Sequence, residues 1–224
     1  PNHLDVHASM EEYVDAKKQI FRYQSDRDWL ILNHADEQLR GFAEEARGRV
    51  VFFSRHGDPG RPNAAFVRDG HVIWRLEGRE YATLAVDEIK LPGLHNLENA
   101  LAAMAAAYLA GAPMSAVQHV LRTFEGVEHR IEPVRELDGA RWYNDSKATS
   151  PAEAVACLST LPAPIVLIAG GSDKGIPFDP MAPLVREKVK SLILTGPTAR
   201  KIEEAVRRGG YEGPILHAAD MEAA

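Results

Sequence analysis

Apolar and polar stretches alternate regularly in the second half of the chain. Short apolar runs typical of buried strands are each followed by a segment with the spacing of an amphipathic helix. This order predicts a parallel sheet with helical crossovers, because parallel neighbours need a long connection. Four strands are expected in this one sheet, at residues 140–143, 165–169, 191–195 and 214–217. We therefore predict a Rossmann-like, doubly wound α/β domain over residues 127–224.

The first half predicts another α/β domain, over residues 1–126. Near-continuous apolar runs at residues 28–33 and 49–54 indicate strands that are buried on both faces. Asp69-Gly70 is a strong hairpin signal between two further strands. Those strands are expected at residues 64–68 and 71–76. Four helices are expected as well, at residues 11–21, 36–46 and 115–123 and between Gly93 and Gly111. The core face of the first helix is predicted to carry Tyr13, Ala16, Ile20 and Phe21.

Composition excludes several classes of function. The 224 residues are 45% hydrophobic and 26% charged, which is typical of a soluble globular protein. A net charge of −6 gives no reason to expect a nucleic-acid or anionic-membrane partner. No run approaches the roughly 20 apolar residues of a membrane span, and the single cysteine, Cys157, excludes an internal disulfide. We expect a cytoplasmic monomer in which Cys157 is a buried structural thiol.

A polar cluster lies between a predicted strand and a predicted helix, at residues 144–149 (Asn-Asp-Ser-Lys-Ala-Thr). Ser150 has the position of an N-cap, Pro151 of the first helical residue and Glu153 of the partner in a capping box. Open α/β sheets bind ligands at such junctions, because backbone N–H groups and the helix dipole converge there. The alternative is an ordinary polar loop, and the cluster alone leaves both interpretations open.

A glycine-rich loop follows the next predicted strand, at residues 170–175 (Gly-Gly-Ser-Asp-Lys-Gly). Glycine lets the backbone approach an anionic ligand closely, and Lys174 adds a positive charge. The two loops are expected to place Lys147 and Lys174 at the same edge of one sheet. The glycine-rich loop is a weak signal on its own, since Gly-Gly turns after strands are common.

Two smaller polar groups lie in the first half. Asn96 and Asn99 are three residues apart in the first turn of a predicted helix, so their amides share a face and could read the edge of a purine ring. Simple N-terminal capping is the competing interpretation. His3 and Asp5 lie just before the first predicted helix, and Lys17 lies further along it. Two nitrogen or oxygen ligands do not by themselves make a metal site.

Taken in this order, the clusters resemble those of the Mur ligase family of ATP-dependent peptide-bond-forming enzymes. The resemblance covers essentially the whole chain. It is carried by Asn2-His3-Leu4-Asp5, residues 13–17, residues 91–96 with Asn99, Glu128-His129-Arg130, residues 144–149 and residues 170–175. The Asn-Asp-Ser-Lys-Ala-Thr run is the most specific piece, although Ser150 stands where the family more often has asparagine. Within the family, the chain resembles the members that add D-glutamate to UDP-N-acetylmuramoyl-L-alanine, a cytoplasmic step of peptidoglycan precursor synthesis.

The resemblance implies a reaction and two catalytic residues. The substrate carboxylate would attack the γ-phosphate of ATP, and the amine of D-glutamate would then displace phosphate from the acyl phosphate. His3 would contact Mg²⁺. Lys17 would be carbamylated, which turns a cation into a carboxylate-like anion that can hold a second Mg²⁺.

The resemblance also implies the residues that bind the two small substrates. Asn96 and Asn99 would lie near the adenine of ATP, and Arg130 and Asp145 would hold its phosphates and ribose. The carboxylates of D-glutamate would be bound by Lys147, Thr149 and Lys174.

The chain departs from the family pattern in one respect. An ATPase of this kind needs a Gly-x-x-Gly-Lys-Thr/Ser phosphate loop, and the 224 residues contain none. The resemblance therefore implies an inactive fragment that lacks the N-terminal UDP-binding domain, the phosphate loop and the final segment. Residues 1–126 would be a partial, mononucleotide-binding-type central domain, and residues 127–224 a partial amino-acid-binding domain. A Mur-type ligase for another amino acid and a non-catalytic nucleotide- or amino-acid-binding module are the alternatives.

Overall fold

The computed structural model describes residues 9–224, which divide into two compact units. One unit runs to Glu125 and the other from Gly126 to Ala224. Each unit combines strands and helices around a hydrophobic core of its own, which confirms the predicted α/β class. No helix among the described residues is long and apolar enough to cross a membrane.

The first unit is built on a five-stranded mixed sheet. Its strands are β1 (Trp29–Asn33), β2 (Arg49–Ser54), β3 (Ala64–Arg68), β4 (His71–Leu76) and β5 (Arg79–Ala85). Strands β1, β2 and β3 are parallel, and β3, β4 and β5 form an antiparallel meander. Asp69 and Gly70 have φ angles of 50° and 73°, which suit the two-residue turn between β3 and β4. The predicted hairpin and both predicted buried strands are confirmed.

Helices cover both faces of this sheet. They are α1 (Met10–Arg22), α2 (Glu37–Glu45), α3 (Leu94–Leu109) and α4 (Met114–Thr123). Helix α3 crosses β1, β2 and β3, and its Leu101 packs with Val51 in the main core. Helices α1 and α2 contribute Phe21 and Phe42 to a second cluster, which contains Phe52. Val51 and Phe52 belong to different clusters because successive side chains of a strand point to opposite faces.

The predicted core face of α1 is wrong in part. Ile20 is 76% exposed, whereas Phe21 is only 5% exposed, and Ala16 is exposed as well. The helix packs through Phe21, as predicted, whose ring centroid lies 5.6 Å from that of Phe42. It also packs through Lys18, which was not predicted and whose Nζ lies 5.1 Å from the Phe42 ring. The buried stripe is therefore displaced around the helix from the predicted one, because α2 determines which side is covered.

The second unit holds two separate sheets. The helices and strands are β6 (Glu132–Leu137), β7 (Ala140–Asn144), α5 (Pro151–Thr160), β8 (Ile165–Gly170), α6 (Ala182–Lys188), β9 (Val189–Thr195), α7 (Ala199–Arg208) and β10 (Ile215–His217). Strands β10, β9 and β8 form a parallel sheet in that order. Helices α5, α6 and α7 pack on it through a core that includes Leu158, Val185, Leu192 and Val206.

The predicted position of β7 in the parallel sheet is wrong. It pairs antiparallel with β6, a strand that the sequence analysis did not predict, in a two-stranded sheet of its own. The Asp138-Gly139 turn makes this pairing possible, with φ angles of 51° and 76°. Lys147 and Lys174 therefore follow strands of two different sheets, not one edge of the same sheet. The same Asp-Gly signal that located the hairpin in the first unit was available here.

Candidate functional site

The 144–149 loop begins at the end of β7 and leads into α5. Ser150 is the N-cap of this helix, its Oγ accepting from the N–H of Glu153 at 3.4 Å, and Pro151 is the first helical residue, as predicted. Glu153 does not complete the expected capping box, since its carboxylate accepts from the N–H of Thr149 at 2.7 Å. The Thr149 hydroxyl lies 3.4 Å from the same oxygen. A carboxylate bound by Thr149 would therefore lie close to the charge of Glu153.

Three hydrogen bonds join this loop to residues 128–131. The N–H of Ile131 donates to Asp145 Oδ1 at 2.9 Å, and the N–H of Lys147 donates to the carbonyl of His129 at 3.0 Å. The side chain of Asn144 donates from Nδ2 to Nδ1 of His129 at 2.8 Å. The structure thus brings together two segments that are separated in sequence by the whole β6–β7 hairpin.

The backbone of this second segment is strained. His129 and Ile131 have φ angles of 67° and 47°, in the left-handed region that a β-branched residue rarely adopts. Glu132 supports the turn, because its Oε2 accepts from the N–H of His129 at 2.8 Å. Strained conformations persist where the surroundings fix them. Arg130 lies between the two strained residues, so its position depends on Asp145, Asn144 and Glu132.

The structure therefore brings Arg130, Asp145 and Lys147 into one place. The exposed side chains of Arg130 and Lys147 have no hydrogen bond or ion pair within residues 9–224. The half-buried Asp145, by contrast, has one oxygen committed to the backbone of Ile131. The supporting roles of His129 and Glu132 were not predicted from the sequence, where the only local signal was their position within two residues of Arg130.

Cys157 lies on α5 near Asp145 and is half-buried. Burial, together with the charge of the Asp145 carboxylate and a hydrogen bond to it, raises the pKa of the Cys157 thiol to about 12. The group is therefore protonated at neutral pH and is a poor nucleophile. This agrees with the predicted structural role, although the side chain is less completely buried than expected.

The glycine-rich loop follows β8 at the carboxyl end of the parallel sheet. Gly170 has a φ angle of 158°, and a Cβ atom at this position would lie 1.9 Å from the carbonyl oxygen of Thr195 on β9. Asp173 accepts a hydrogen bond from the N–H of Gly175 at 2.9 Å and is ion-paired with Lys201 of α7. That lysine holds the pKa of the Asp173 carboxyl below its usual range, with help from the Gly175 N–H.

Lys174 is exposed at the tip of this loop. Its ammonium has no hydrogen bond or ion pair within the part of the chain that the structure describes. The same part of the chain shows no hydrogen bond between the glycine-rich loop and the 144–149 loop. The two loops are thus independent sources of positive charge in the second unit.

In the first unit, Asn96 and Asn99 occupy the first turns of α3. Asn96 is buried, and its Nδ2 donates to the carbonyl of Pro92 at 2.7 Å, so it braces the start of the helix. Asn99 is exposed and donates to Asn96 Oδ1 at 3.4 Å. The two amides share a face, as predicted. Asn96 donates here and accepts from no helix N–H group, so it braces the start of the helix without capping it. Asn99 has further hydrogen-bonding groups that find no partner within residues 9–224.

Lys17 is exposed on α1, with Nζ 5.4 Å from the centroid of the Tyr13 ring. His3 and Asp5 lie outside the described residues. No group of three or more His, Cys, Asp or Glu side chains within residues 9–224 is arranged to hold a metal ion. An ammonium has no lone pair to offer, so Lys17 fits a Mg²⁺ ion only if it is carbamylated.

Comparison with known families matches nearly the entire chain. Residues 1–107 match the Mur ligase middle domain, and residues 129–224 match the Mur ligase glutamate ligase domain. The chain belongs to the Mur ligase family. The family resemblance noted from the sequence is therefore confirmed, including the segments around Asn96 in the first match and around Lys147 in the second.

Several curated relatives of this Mur ligase chain carry one name. A protein of Symbiobacterium thermophilum, named UDP-N-acetylmuramoylalanine–D-glutamate ligase, is 74% identical over 221 residues, which are 99% of this chain and 49% of the relative. A protein of the same name from Acetivibrio thermocellus is 48% identical over 92% of this chain and 44% of the relative. The chain thus spans about half the length of these relatives.

Two solved ligase structures share the fold. MurF from Acinetobacter baumannii matches with a TM-score of 0.68 and 17% identity, over 96% of this chain and 48% of that protein. A pseudomurein peptide ligase type C from Methanothermus fervidus matches with a TM-score of 0.68 and 18% identity, over 97% of this chain and 50% of that protein. At this identity the likeness supports the fold and not a substrate.

Proposed function

We propose that this Mur ligase chain belongs to an enzyme that adds D-glutamate to UDP-N-acetylmuramoyl-L-alanine in an ATP-dependent step of peptidoglycan precursor synthesis. The observation that carries the proposal is the 74% identity to the Symbiobacterium relative over 99% of the chain. The 144–149 loop supports it, because Lys147 is exposed next to the segment that carries Arg130. A cytoplasmic location and a monomeric state stay predictions.

For D-glutamate, we propose Lys147 and Lys174 as the anchors of the two carboxylates. Both ammonium groups are exposed and have no partner among the described residues, so neither has to break an existing ion pair. Charge-assisted hydrogen bonds of this kind are the stronger ones in proteins. Thr149 would add a hydroxyl donor after turning away from Glu153, to which its N–H is already bonded.

For ATP, we propose the roles that the family resemblance implies. Asn99, with the buried Asn96 behind it, would donate to or accept from the adenine edge. Arg130 would hold phosphate oxygens from a segment whose strained backbone is already fixed. The Asp145 carboxylate accepts from the N–H of Ile131 and is hydrogen-bonded to the Cys157 thiol, and a remaining lone pair would accept a hydroxyl of the ribose.

The proposed reaction has two steps, and the chain's residues act by binding and orienting. An oxygen of the substrate carboxylate attacks the γ-phosphorus, and ADP leaves with the bridging oxygen. The neutral amine of D-glutamate then attacks the acyl carbon; inorganic phosphate leaves and the nitrogen loses one proton to solvent as the amide forms. Lysine and arginine side chains stabilise the phosphoryl and carboxylate charges, and positioning supplies much of the rest. Mg²⁺ would neutralise phosphate charge, and the roles of His3 and Lys17 toward it stay predictions.

A second candidate function is a non-catalytic nucleotide- or amino-acid-binding module. The observation in its favour is that the 224 residues contain no Gly-x-x-Gly-Lys-Thr/Ser sequence. Under the ligase proposal, the chain alone should bind ATP poorly and release no phosphate, since its 224 residues include no phosphate-loop sequence for the β- and γ-phosphates. A thermal shift of several degrees with ATP, at concentrations that leave phosphate release at zero, would instead favour the binding module.

The proposal can be tested in a chimaera. This chain replaces its matching half of the Symbiobacterium relative, and phosphate release is measured with UDP-N-acetylmuramoyl-L-alanine, ATP, Mg²⁺ and D-glutamate or other amino acids. Lys174→Ala removes one charge-assisted contact of about 1.5–3 kcal/mol, so the KM for D-glutamate should rise at least about tenfold. The KM for ATP should stay nearly constant.

The matched control is Lys190→Ala. Lys190 is an exposed lysine at the other end of the same parallel sheet, near the start of β9, so its loss tests net charge alone. Phosphate release that depends on another amino acid would contradict the assignment of D-glutamate. An unchanged KM for D-glutamate in the Lys174 variant would remove Lys174 from the site.

A further inference from the structure

Two residues hold the glycine-rich loop from the side: the N-cap of α7, Thr198, and one residue within that helix, Lys201. Thr198 is only 2% exposed, and its Oγ1 donates to the carbonyl oxygen of Gly171 at 3.0 Å. Lys201, one turn further along, is ion-paired with Asp173. Asp173 in turn accepts from the N–H of Gly175. The loop that carries Lys174 is therefore fixed before and after that residue by groups of the next crossover.

The backbones of the two connections also touch. Gly170 and Thr195 are paired partners at the ends of β8 and β9, and a Cβ at Gly170 would collide with the Thr195 carbonyl. A Cβ at Gly196 would lie 3.4 Å from the backbone nitrogen of Gly171. Such close approach leaves the start of the loop little freedom, so its remaining freedom lies at residues 172–175.

The N-cap geometry of α7 supports a dedicated role for Thr198. A threonine at this position ordinarily turns its hydroxyl to the N–H groups of its own helix. Here Thr198 makes no side-chain capping bond and donates to Gly171 instead. A buried hydroxyl with one partner is thus used to hold the loop rather than to start the helix.

The charge of Lys201 matters as well as its position. Asp173 is the residue immediately before Lys174, and an unneutralised carboxylate there would attract the Lys174 ammonium and repel an anionic ligand. The Lys201 ammonium is the only cation ion-paired with Asp173 among the described residues. Both groups are partly exposed, at 59% and 34%, so the pair is screened by solvent and its effect is moderate.

We propose that Thr198 and Lys201 are positioning residues that hold the glycine-rich loop and so direct Lys174 toward a carboxylate of the amino-acid substrate. This inference rests on the proposed function, in which Lys174 binds D-glutamate. Neither residue contacts the substrate; Thr198 fixes the backbone at Gly171, and Lys201 fixes and neutralises Asp173.

The test measures steady-state kinetics in the chimaera described above. Lys201→Ala should raise the KM for D-glutamate about three- to tenfold, the range open to a solvent-screened ion pair. The kcat and the KM for ATP should stay within about twofold of the unmodified chimaera. Lys201→Arg should restore the KM, and added salt should weaken the difference. Thr198→Val should also raise the KM for D-glutamate, whereas Thr198→Ser, which keeps the hydroxyl, should leave that KM at the value of the unmodified chimaera.

Arg200→Ala is the matched control. Arg200 is the preceding cation on the same helix, and it pairs with Glu204 instead of Asp173. If Arg200→Ala and Lys201→Ala raise the KM equally, a general charge effect explains the result and the inference is overturned. A Lys201→Ala variant whose KM for D-glutamate equals that of the parent chimaera overturns it as well.

Hydrogen exchange on the chain itself separates this inference from the proposed function. In Lys201→Ala, the amides of residues 172–175 should exchange faster than in Arg200→Ala, with little change elsewhere. If the parent chimaera shows no turnover that depends on D-glutamate, the proposed function fails, and the substrate part of this inference fails with it. The exchange rates then still decide whether Lys201 holds the loop, and equal rates in the two variants refute that part.

Discussion

The hydrogen bond between Asp145 and Ile131 is the contact whose loss should be easiest to detect. Asp145→Ala leaves the N–H of Ile131 without its 2.9 Å partner, in a residue that is only 9% exposed. Hydrogen bonds to charged groups contribute about 1.5–3 kcal/mol, and an unpaired buried donor costs about as much. Ile131 and His129 also hold positive φ angles that the bond helps to maintain. We expect the second unit to lose about 2 kcal/mol of unfolding free energy.

Two assays check this prediction on the chain. Urea unfolding, monitored in the second unit, gives the change in free energy, and the rate of Cys157 modification by a thiol reagent gives a local measurement. Asp145 raises the pKa of Cys157 as the second cause after burial. Its removal should therefore lower that pKa and speed the reaction at a fixed, mildly alkaline pH. The thiol should still react more slowly than a free cysteine, because burial remains.

Asp145→Asn is the control, because it keeps an oxygen acceptor without the charge. It should lose about 1 kcal/mol or less while still lowering the pKa of Cys157. If Asp145→Ala unfolds within about 0.5 kcal/mol of the parent chain, a change typical of a surface site, Ile131 does not depend on Asp145. The account of how Arg130 is held would then be wrong.

Two further predictions concern the glycine-rich loop and α1. Gly170→Ala should lower the unfolding temperature of the second unit clearly, because its Cβ would lie 1.9 Å from the Thr195 carbonyl oxygen. The control Gly41→Ala, with nothing within 4 Å, should be neutral or stabilising by up to about 1 kcal/mol. Equal changes in unfolding temperature in the two variants would contradict the close contact. Lys17→Ala in the chimaera should abolish ligation, with partial recovery on adding short-chain carboxylic acids, if a carbamate holds Mg²⁺. The control Lys18→Ala should keep turnover but lose up to about 1 kcal/mol of stability, because Lys18 pairs with Glu45 at 2.6 Å. Normal turnover in Lys17→Ala would instead make Lys17 an ordinary surface residue.

Local patterns in the sequence determined most of the helices and strands and the positions of the polar loops. The apolar runs at β2, β8 and β9 identified strands because short apolar runs bounded by turn residues favour strands over helices. Ser150 and Pro151 identified the start of α5, since capping chemistry acts within a few residues. These features depend on neighbours in the chain, so the chain itself carries them.

Only the tertiary structure decided how those pieces combine. The sequence contained the Asp138-Gly139 turn but did not reveal that β7 would pair with β6 rather than join the parallel sheet. It contained Ile20 and Phe21 side by side, and the packing of α2 determined which one is buried.

The contacts that shape the candidate site also lay beyond local patterns. The Asp145–Ile131 bond spans 14 residues, and the Thr198–Gly171 bond spans 27. Hydrogen bonds between residues so far apart in sequence depend on where the chain returns in space. The positive φ angles at His129 and Ile131, which the Asp145 bond helps to maintain, oppose local preference. The sequence therefore determined which residues the loops contain, and the fold determined which of them hold the others in place.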